Sequence, residues 1–169
     1  FQFLDMPKLI SRLNERKKSL VVILDGITDP RNLGSLMRSA LCFDVDAIII
    51  PKARSAPITP AVAKTSAGAV EHLNVVKANL AQAASLLKNN DFWLVGADVT
   101  AEEDVWDFKW PLKTALVLGS EGKGLSVLVK QKCDFLINIP ISGRLDSLNV
   151  AVAGGILLNE YCRFTEAPV

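Results

Sequence analysis

The chain has 169 residues, half of them hydrophobic, and a formal net charge of +1. This length suits one domain with its own core, or one domain plus a short arm. A charge so near zero excludes a strongly basic nucleic-acid-binding chain, so affinity for RNA or DNA would need a local patch or a further domain. No apolar run reaches the ~20 residues that span a bilayer, and the first residues do not resemble a signal peptide.

The cysteines and the single histidine offer little chemistry. Cys42, Cys133 and Cys162 lack the spacing of metal ligands, so we expect buried, reduced thiols of a cytosolic-type compartment and no metal site. His72 is the only histidine, and no catalytic triad can be built around it. We therefore expect His72 to be structural.

The N-terminal residues predict a short helix. Asp5 is a suitable N-cap and Pro7 falls in the first turn, with apolar residues at helical spacing behind them. Residues 1–18 are predicted as an N-terminal helix or linker, and residues 19–169 as the main domain. The chain starts without Met, so we also expect an upstream segment.

Apolar runs alternate with helical patterns along the rest of the chain. Strands are predicted at 20–24, 47–50, 73–76, 92–97, 115–118 and 135–139. Helices are predicted around 33–40, from 60, at 80–87, 125–131 and 147–161. Residues 100–111 read as irregular, with Trp106 and Trp110 packing on the sheet. The alternation predicts an α/β fold with a mostly parallel sheet and helices on both faces.

Three polar, glycine-bearing loops follow predicted strands, at 29–34, 119–125 and 139–149. Ligands of parallel sheets bind beyond the carboxyl ends of the strands, so we expect these loops to converge on one site. Glycines let backbone groups approach a ligand closely, and Ile139 and Leu148 could grip a flat ring. The combination favours an adenine-containing ligand.

Lysines and arginines gather near the same loops. They form either a local nucleic-acid patch or a solvated face, and the sequence leaves both open. They are Arg31, Arg38, Lys52, Arg54, Lys64, Lys123 and Arg144.

Two common nucleotide motifs do not fit. A P-loop beginning at Gly119 would need Lys where Leu125 stands, and Gly122-Lys123-Gly124 lacks the third glycine of a dinucleotide fingerprint. An ordinary ATP or NAD enzyme is therefore disfavoured.

The three loops resemble the three motifs of the SpoU (TrmH-like) group of RNA ribose 2′-O-methyltransferases, in the SPOUT superfamily. The first reads DPRNLG at 29–34 with Arg38 and Ala40, the second LGSEG at 118–122 with Gly124, and the third IP at 139–140 with SLNV at 147–150. The resemblance runs from about residue 19 to 164. Residues 66–72 and 143–147 are most similar to enzymes that methylate a guanosine of large-subunit ribosomal RNA.

This resemblance implies a parallel α/β fold with a C-terminal trefoil knot and S-adenosylmethionine held in the knot. It also implies a homodimer that shares its active sites, and an RNA-binding domain upstream in many relatives. We expect a cytoplasmic protein of bacterial type, with an organellar one as the alternative. A tRNA ribose methyltransferase and a non-catalytic RNA-binding module remain as rival functions.

The resemblance also assigns site residues. Catalytic positions are Asn32, Arg38, Glu121, Ser147 and Asn149. Cofactor-binding positions are Leu118, Gly119, Glu121, Gly122, Ile139, Ile141, Leu148 and Asn149. An arginine holds its proton tightly, which leaves two hypotheses: Arg38 stabilises the forming alkoxide while Glu121 or a substrate phosphate takes the proton, or Arg38 is transiently neutral.

One departure from the family pattern stands at Asp44, where relatives usually carry glycine. Glycine there would serve as a left-handed helix cap, and aspartate tolerates that conformation moderately. We expect a local stability cost at Asp44 and unaltered chemistry.

Overall fold

A parallel seven-stranded sheet organises residues 1–166, the part of the chain that the computed structural model describes. Its spatial order is β3-β2-β1-β6-β4-β7-β5. The strands are β1 (Ser19–Asp25), β2 (Ala47–Pro51), β3 (Val75–Ala78), β4 (Trp93–Ala97), β5 (Glu103–Asp104), β6 (Lys113–Gly119) and β7 (Phe135–Asn138). Every strand pair is parallel, which confirms the predicted fold class.

Within residues 1–166, four α-helices lie between strands and two flank the sheet sequence, and several of their starts follow the capping rules. Asp5 accepts a hydrogen bond from the Lys8 backbone N–H, and Asn79 accepts one from Gln82, as N-cap side chains do. The helices are α1 (Met6–Leu13), α2 (Pro30–Cys42), α3 (Pro60–Thr65), α4 (Leu80–Lys88), α5 (Val127–Lys132) and α6 (Val150–Glu166). Within residues 1–166, none is long and apolar enough to cross a membrane.

The helices cover both faces of the sheet because successive side chains of a strand point to opposite sides. In β1, Val22 and Leu24 belong to a core cluster with α2, α3 and α6, whereas Val21 and Ile23 belong to a cluster with α1, α4 and α5. Both faces of β1 are therefore buried, as its continuous apolar run predicts.

The close approach of α6 to α2 depends on one glycine. A Cβ on Gly154 would lie 2.5 Å from Cδ2 of Leu36 and 3.1 Å from Cδ1 of Leu118. A side chain at this position would push α6 away from β6 and α2. The helix that follows the third loop is thus held tightly to the helix that follows the first.

The strand register brings the site loops to the same level. Asp25, the last residue of β1, lies opposite Gly119, the last residue of β6. Ile23 lies opposite Ile49, and two further residues in this register bring Asp25 level with Pro51 at the end of β2. β1, β2 and β6 therefore end together at one edge of the sheet, called here the carboxyl edge.

Several predictions need correction. β3 begins at Val75 because a 3₁₀ turn at Ala69–Glu71 intervenes, and the irregular stretch contains β5 and a 3₁₀ turn. Trp110 is buried, but Trp106 is half exposed, so only Trp110 is a core residue. Cys42 is exposed, because it lies on the outer side of the last turn of α2, and the other two thiols are only partly buried.

Two further expectations concern backbone conformation and topology. Asp44 has φ 55°, so it adopts the left-handed conformation expected from its position. β7 enters the sheet between β4 and β5, which are its neighbours in space. This order is compatible with the trefoil knot, which stays a prediction.

Candidate active site

The side-chain amide of Asn149 joins all three predicted loops. Its Nδ2 donates to Oδ1 of Asn32 and to Oε1 of Glu121, each at 3.0 Å. Its Oδ1 accepts from the backbone N–H groups of Ala151, at 2.9 Å, and Val152, at 3.2 Å. The predicted convergence is confirmed, since residues separated by as many as 117 positions meet at one amide.

Asn149 also explains why α6 begins later than predicted. The helix was expected from Ser147, but its first residue is Val150. Asn149 acts as the N-cap, and an N-cap residue has a non-helical backbone by nature. Ser147 and Leu148 therefore lie in the loop, outside the helix.

Glu121 lies at the tip of a small hairpin after β6. Ser120 and Gly124 pair through two backbone hydrogen bonds, of 2.9 and 3.2 Å. Gly119 packs so tightly against the backbone of Gly124 that no Cβ fits between them, whereas Gly122 has φ 83° and open space around it. Oε1 of Glu121 also accepts from the Val150 N–H at 3.2 Å, which places a carboxylate at the N-terminus of α6.

Asp25 is a site residue that sequence reasoning missed. Its carboxylate is 8% exposed, and its Oδ2 accepts a 2.7 Å hydrogen bond from the backbone N–H of Ser126. This bond fixes the return of the 119–125 hairpin onto the end of β1. Only its place at the end of an apolar strand could have drawn attention to Asp25.

The first predicted loop, 29–34, is in fact the start of α2: the helix begins at Pro30, and only its N-cap Asp29 lies outside it. Asp29 accepts from the Arg31 backbone N–H at 2.8 Å and pairs with its guanidinium at 3.1 Å. This hydrogen-bonded pair lowers the pKa of Asp29 and raises the pKa of Arg31. Arg31 is thus committed to an internal carboxylate, which separates it from the other cations near the site.

The third loop is open to solvent. Residues 140–147 are exposed, including Ile141, while Ile139 and Leu148 are half-buried. Gly143 has φ 80°, in the region that favours glycine. Leu118 has its side chain in the core, so only its backbone is available to a ligand at the strand end.

Arg38 and Ser147 stand apart from the hydrogen-bonded cluster. Both are exposed, and within residues 1–166 neither side chain has a hydrogen-bond or ion-pair partner. Arg38 lies six residues along α2 from Asn32, which is about 1.7 turns and about 9 Å along the helix axis. The structure therefore joins Asn32, Glu121 and Asn149 by direct hydrogen bonds. The Arg38 guanidinium is exposed, so a bound ligand could contact it.

The exposed His72 and the cysteines do not contribute to this cluster. Among residues 1–166, no three His, Cys, Asp or Glu side chains are grouped as a metal site. The cluster consists of amides, carboxylates and backbone donors, which suits hydrogen bonding to an organic ligand.

These features define a class of protein: a parallel α/β domain whose strand-end loops form one open polar site around a helix N-terminus. The sequence pattern of the SpoU rRNA Methylase family matches residues 19–159. The chain belongs to this family.

Relatives and solved structures agree with this assignment. A protein of Staphylococcus saprophyticus named as a TrmH family tRNA/rRNA methyltransferase is 42% identical over 165 residues, which cover 96% of this chain and 66% of the relative. The SpoU methyltransferase AviRb of Streptomyces viridochromogenes, solved in complex with AdoMet, has a TM-score of 0.85 and 29% identity. That match covers 92% of this chain and 64% of AviRb.

A third match is a crystal structure described as an RNA 2′-O ribose methyltransferase. Its TM-score is 0.81 at 26% identity, and the match covers 90% of this chain and 58% of that one. The present chain thus spans 58 to 66% of the length of these three proteins.

Proposed function

We propose that this protein transfers a methyl group from S-adenosylmethionine to a ribose 2′-hydroxyl of structured RNA, with a guanosine of large-subunit ribosomal RNA as the first substrate to test. The observation that carries the proposal is the Asn149 amide, which draws the three motif loops into one site. The AdoMet complex of AviRb and the 2′-O ribose methyltransferase support the cofactor and the reaction.

The residues present fit the proposed cofactor. The half-buried Ile139 and Leu148 and the exposed Ile141 offer apolar surface to a flat base, and the strand end at Leu118 and Gly119 offers backbone groups. Gly122 has open space where a side chain would stand, so a ligand can approach its backbone. When bound, S-adenosylmethionine supplies a methyl group activated by its sulfonium charge.

The chain's own residues would bind and orient the acceptor. One oxygen of Glu121 accepts hydrogen bonds from two N–H groups, those of the Asn149 amide and the Val150 backbone. We therefore propose that Glu121 holds Asn149 and the start of α6 in place. Arg38 has no partner within residues 1–166, and it would stabilise negative charge on the acceptor oxygen while a substrate phosphate takes the proton. Ser147 would hydrogen-bond the acceptor ribose from the third loop.

A homodimer is part of the same proposal. Leu41 on α2 and Val152 and Phe164 on α6 are exposed apolar residues of the two helices that pack beside each other next to the site. A second copy covering them would also close the open loop at 140–147. The free thiols suit a reducing compartment, and we propose the bacterial cytoplasm.

The test is transfer of a labelled methyl group from S-adenosylmethionine to in vitro transcribed large-subunit rRNA and, separately, to total tRNA. Ribose methylation makes the adjacent phosphodiester resistant to alkali, which maps the nucleotide and distinguishes it from base methylation. Label in rRNA at an alkali-resistant position supports the proposal. Transfer to tRNA alone would establish the rival substrate, which the relatives' tRNA/rRNA name also allows.

The non-catalytic rival gives a different pattern. A binding module would bind S-adenosylhomocysteine or RNA in calorimetry and transfer no label to either RNA. An Arg38→Ala variant followed in single turnovers against pH then tests the role of the Arg38 side chain. A rate equal to that of the wild type at every pH would exclude Arg38 from the reaction.

A further inference from the structure

A fourth loop reaches the carboxyl edge beside the site, and none of the three motifs includes it. It comprises residues 52–58 and follows β2 directly. Residues 47–70 contain no Asp or Glu, yet they carry Lys52, Arg54 and Lys64. In a chain with a net charge of only +1, this is a local excess of positive charge.

The strand register places this basic loop close to the candidate site. Pro51, Asp25 and Gly119 end three adjacent strands at the same level. Neighbouring strands lie about 4.8 Å apart, so Lys52 leaves the sheet about 10 Å from the hairpin that carries Glu121. The backbone N–H of Ala56 donates to the carbonyl of Ile27 at 2.9 Å, which ties the loop to the short segment between β1 and the first motif.

One residue of the 52–58 loop is buried in the core, and the two cations of the loop are exposed to solvent. Ala56 is 2% exposed and packs in the core, whereas Lys52 and Arg54 are exposed. Arg54 has φ 58°, a backbone conformation that non-glycine residues seldom adopt and that concentrates at functional positions. The anchoring at Ala56 keeps both cations on the carboxyl edge.

The two cations have no partner in the described part of the chain. Within residues 1–166, neither Lys52 nor Arg54 pairs with a carboxylate or lies over an aromatic ring, in contrast to Arg31, which is bound by Asp29. Cations held near a site without a counter-charge attract anions, and the anions of an RNA substrate are its backbone phosphates. Such contacts fix the position of the nucleic acid without reading its sequence.

We propose that Lys52 and Arg54 bind backbone phosphates of the RNA next to the nucleotide whose ribose enters the site. This inference rests on the proposed function, since it takes RNA as the substrate. The two residues hold the strand in place and make no contact with the reacting atoms. Their loss therefore raises KM for RNA and leaves kcat at saturating RNA unchanged.

The experiment compares two double variants of the full chain with equal charge change. One is Lys52→Ala with Arg54→Ala, and the control is Lys17→Ala with Lys109→Ala. Lys17 and Lys109 are exposed and precede β1 and β6, at the opposite edge of the sheet. Binding of an rRNA transcript is measured between low and moderate salt, and binding of S-adenosylhomocysteine is measured in parallel.

Each lost phosphate contact lowers the slope of log affinity against log salt by about 0.7 to 0.9. We expect the Lys52/Arg54 variant to lose about 1.5 from this slope and to bind RNA more weakly at every salt concentration. The Lys17/Lys109 control keeps the wild-type slope, and both variants bind S-adenosylhomocysteine like the wild type. Exchange to Lys52→Arg with Arg54→Lys retains the charges and restores the slope.

Equal slopes for the wild type and the Lys52/Arg54 variant would overturn the inference, and so would an equal loss in the control. The failure of the proposed function looks different. In that case the wild type, with Lys52 and Arg54 intact, would neither bind RNA nor transfer a methyl group to it.

Discussion

The two edges of the sheet use charged side chains in opposite ways. The edge where the strands begin, opposite the carboxyl edge, is called here the amino edge. At this edge, Asp46 precedes β2 and accepts from the hydroxyl of Ser19 at 2.6 Å and the N–H of Leu20 at 2.9 Å, and it also pairs with Arg16. Asp134 precedes β7 and accepts a 2.8 Å hydrogen bond from the backbone N–H of Leu94 in β4. Each carboxylate there joins the beginnings of two neighbouring strands.

At the carboxyl edge, charge is left available. Asp25 and Glu121 bind backbone N–H groups of other loops, but Arg38, Lys52 and Arg54 have no partner in the part of the chain described. At the amino edge, two of the cations are paired, Arg16 with Asp46 and Lys88 with Asp134. The difference teaches that carboxylates at the amino edge tie neighbouring strands together, whereas the exposed cations at the carboxyl edge fit the anionic ligand that we propose.

The sharpest test of this contrast replaces one N-cap asparagine at a time. In Asn149→Ala, the three loops lose their common hydrogen-bonding partner, and we expect methyl transfer to fall about 100-fold, as displaced catalytic groups commonly cause. The control is Asn79→Ala, which removes the cap of α4 away from the site. Loss of a cap costs about 1 kcal/mol in either variant.

Activity and chemical denaturation are measured for both variants. Similar losses of stability with activity lost only in Asn149→Ala support a site role for Asn149. Equal activity in the two variants would reduce Asn149 to an ordinary helix cap.

The second test concerns the hairpin that carries Glu121. In Gly119→Ala, the new methyl group meets the backbone of Gly124, so the hairpin must move, at a cost of about 1–3 kcal/mol. Gly122→Ala is the matched control, because its Cβ meets nothing within 4 Å and only its positive φ is strained. That strain costs about 1 kcal/mol.

Binding of S-adenosylhomocysteine by calorimetry reports the result. We expect Gly119→Ala to weaken the binding of S-adenosylhomocysteine strongly, and Gly122→Ala to weaken this binding less. The reverse order would mean that the ligand approaches the hairpin at its tip and not at its base.

Much of the fold and site could be predicted from sequence because the signals are local. Apolar runs marked the strands, and Asp5 and Asn79 marked helix starts. The convergence of the three loops followed from one rule about parallel sheets, and Asn149 with Glu121 and Asn32 confirms it.

Long-range contacts escaped prediction. Asp25 closes an apolar strand and resembles any loop-edge carboxylate, because its partner Ser126 lies 101 positions away. The start of α6 was predicted at Ser147, too early for Asn149 to cap it, because polar residues at a helix start do not show by themselves which one is the cap. No local sequence pattern shows whether one part of a chain passes through a loop formed by another. The trefoil knot is therefore predicted from the family resemblance alone.

A smaller effect is expected at the amino edge. The hydroxyl of the buried Tyr161 donates to the carbonyl of Leu112 at 2.6 Å. Tyr161→Phe removes this bond while the ring stays packed, which costs about 0.5–1.5 kcal/mol. Trp106→Phe, at a half-exposed ring, should change stability by less than about 0.5 kcal/mol. Denaturation midpoints measure both, and methyl transfer by Tyr161→Phe should equal that of the wild type.

The smallest effect concerns acid and the Asp29–Arg31 pair. The hydrogen bond from Arg31 lowers the pKa of Asp29, so the folded protein binds this proton less readily than the unfolded chain does. The pair therefore stabilises the fold fully above the ordinary aspartate pKa of about 3.9, and this stabilisation is lost as pH falls through the lowered value. The effect is small because the pair is exposed and screened by solvent.

Denaturation midpoints of the wild type and Asp29→Asn, measured from neutral to strongly acidic pH, test this directly. Asparagine can still cap α2, so the two proteins differ chiefly by the ion pair. The wild type should be slightly more stable at neutral pH, and the difference should shrink below about pH 4. A difference that stays constant into strong acid would mean that Asp29 stabilises α2 as a cap only, and Arg31 would then join Lys52 and Arg54 as a cation available to a ligand.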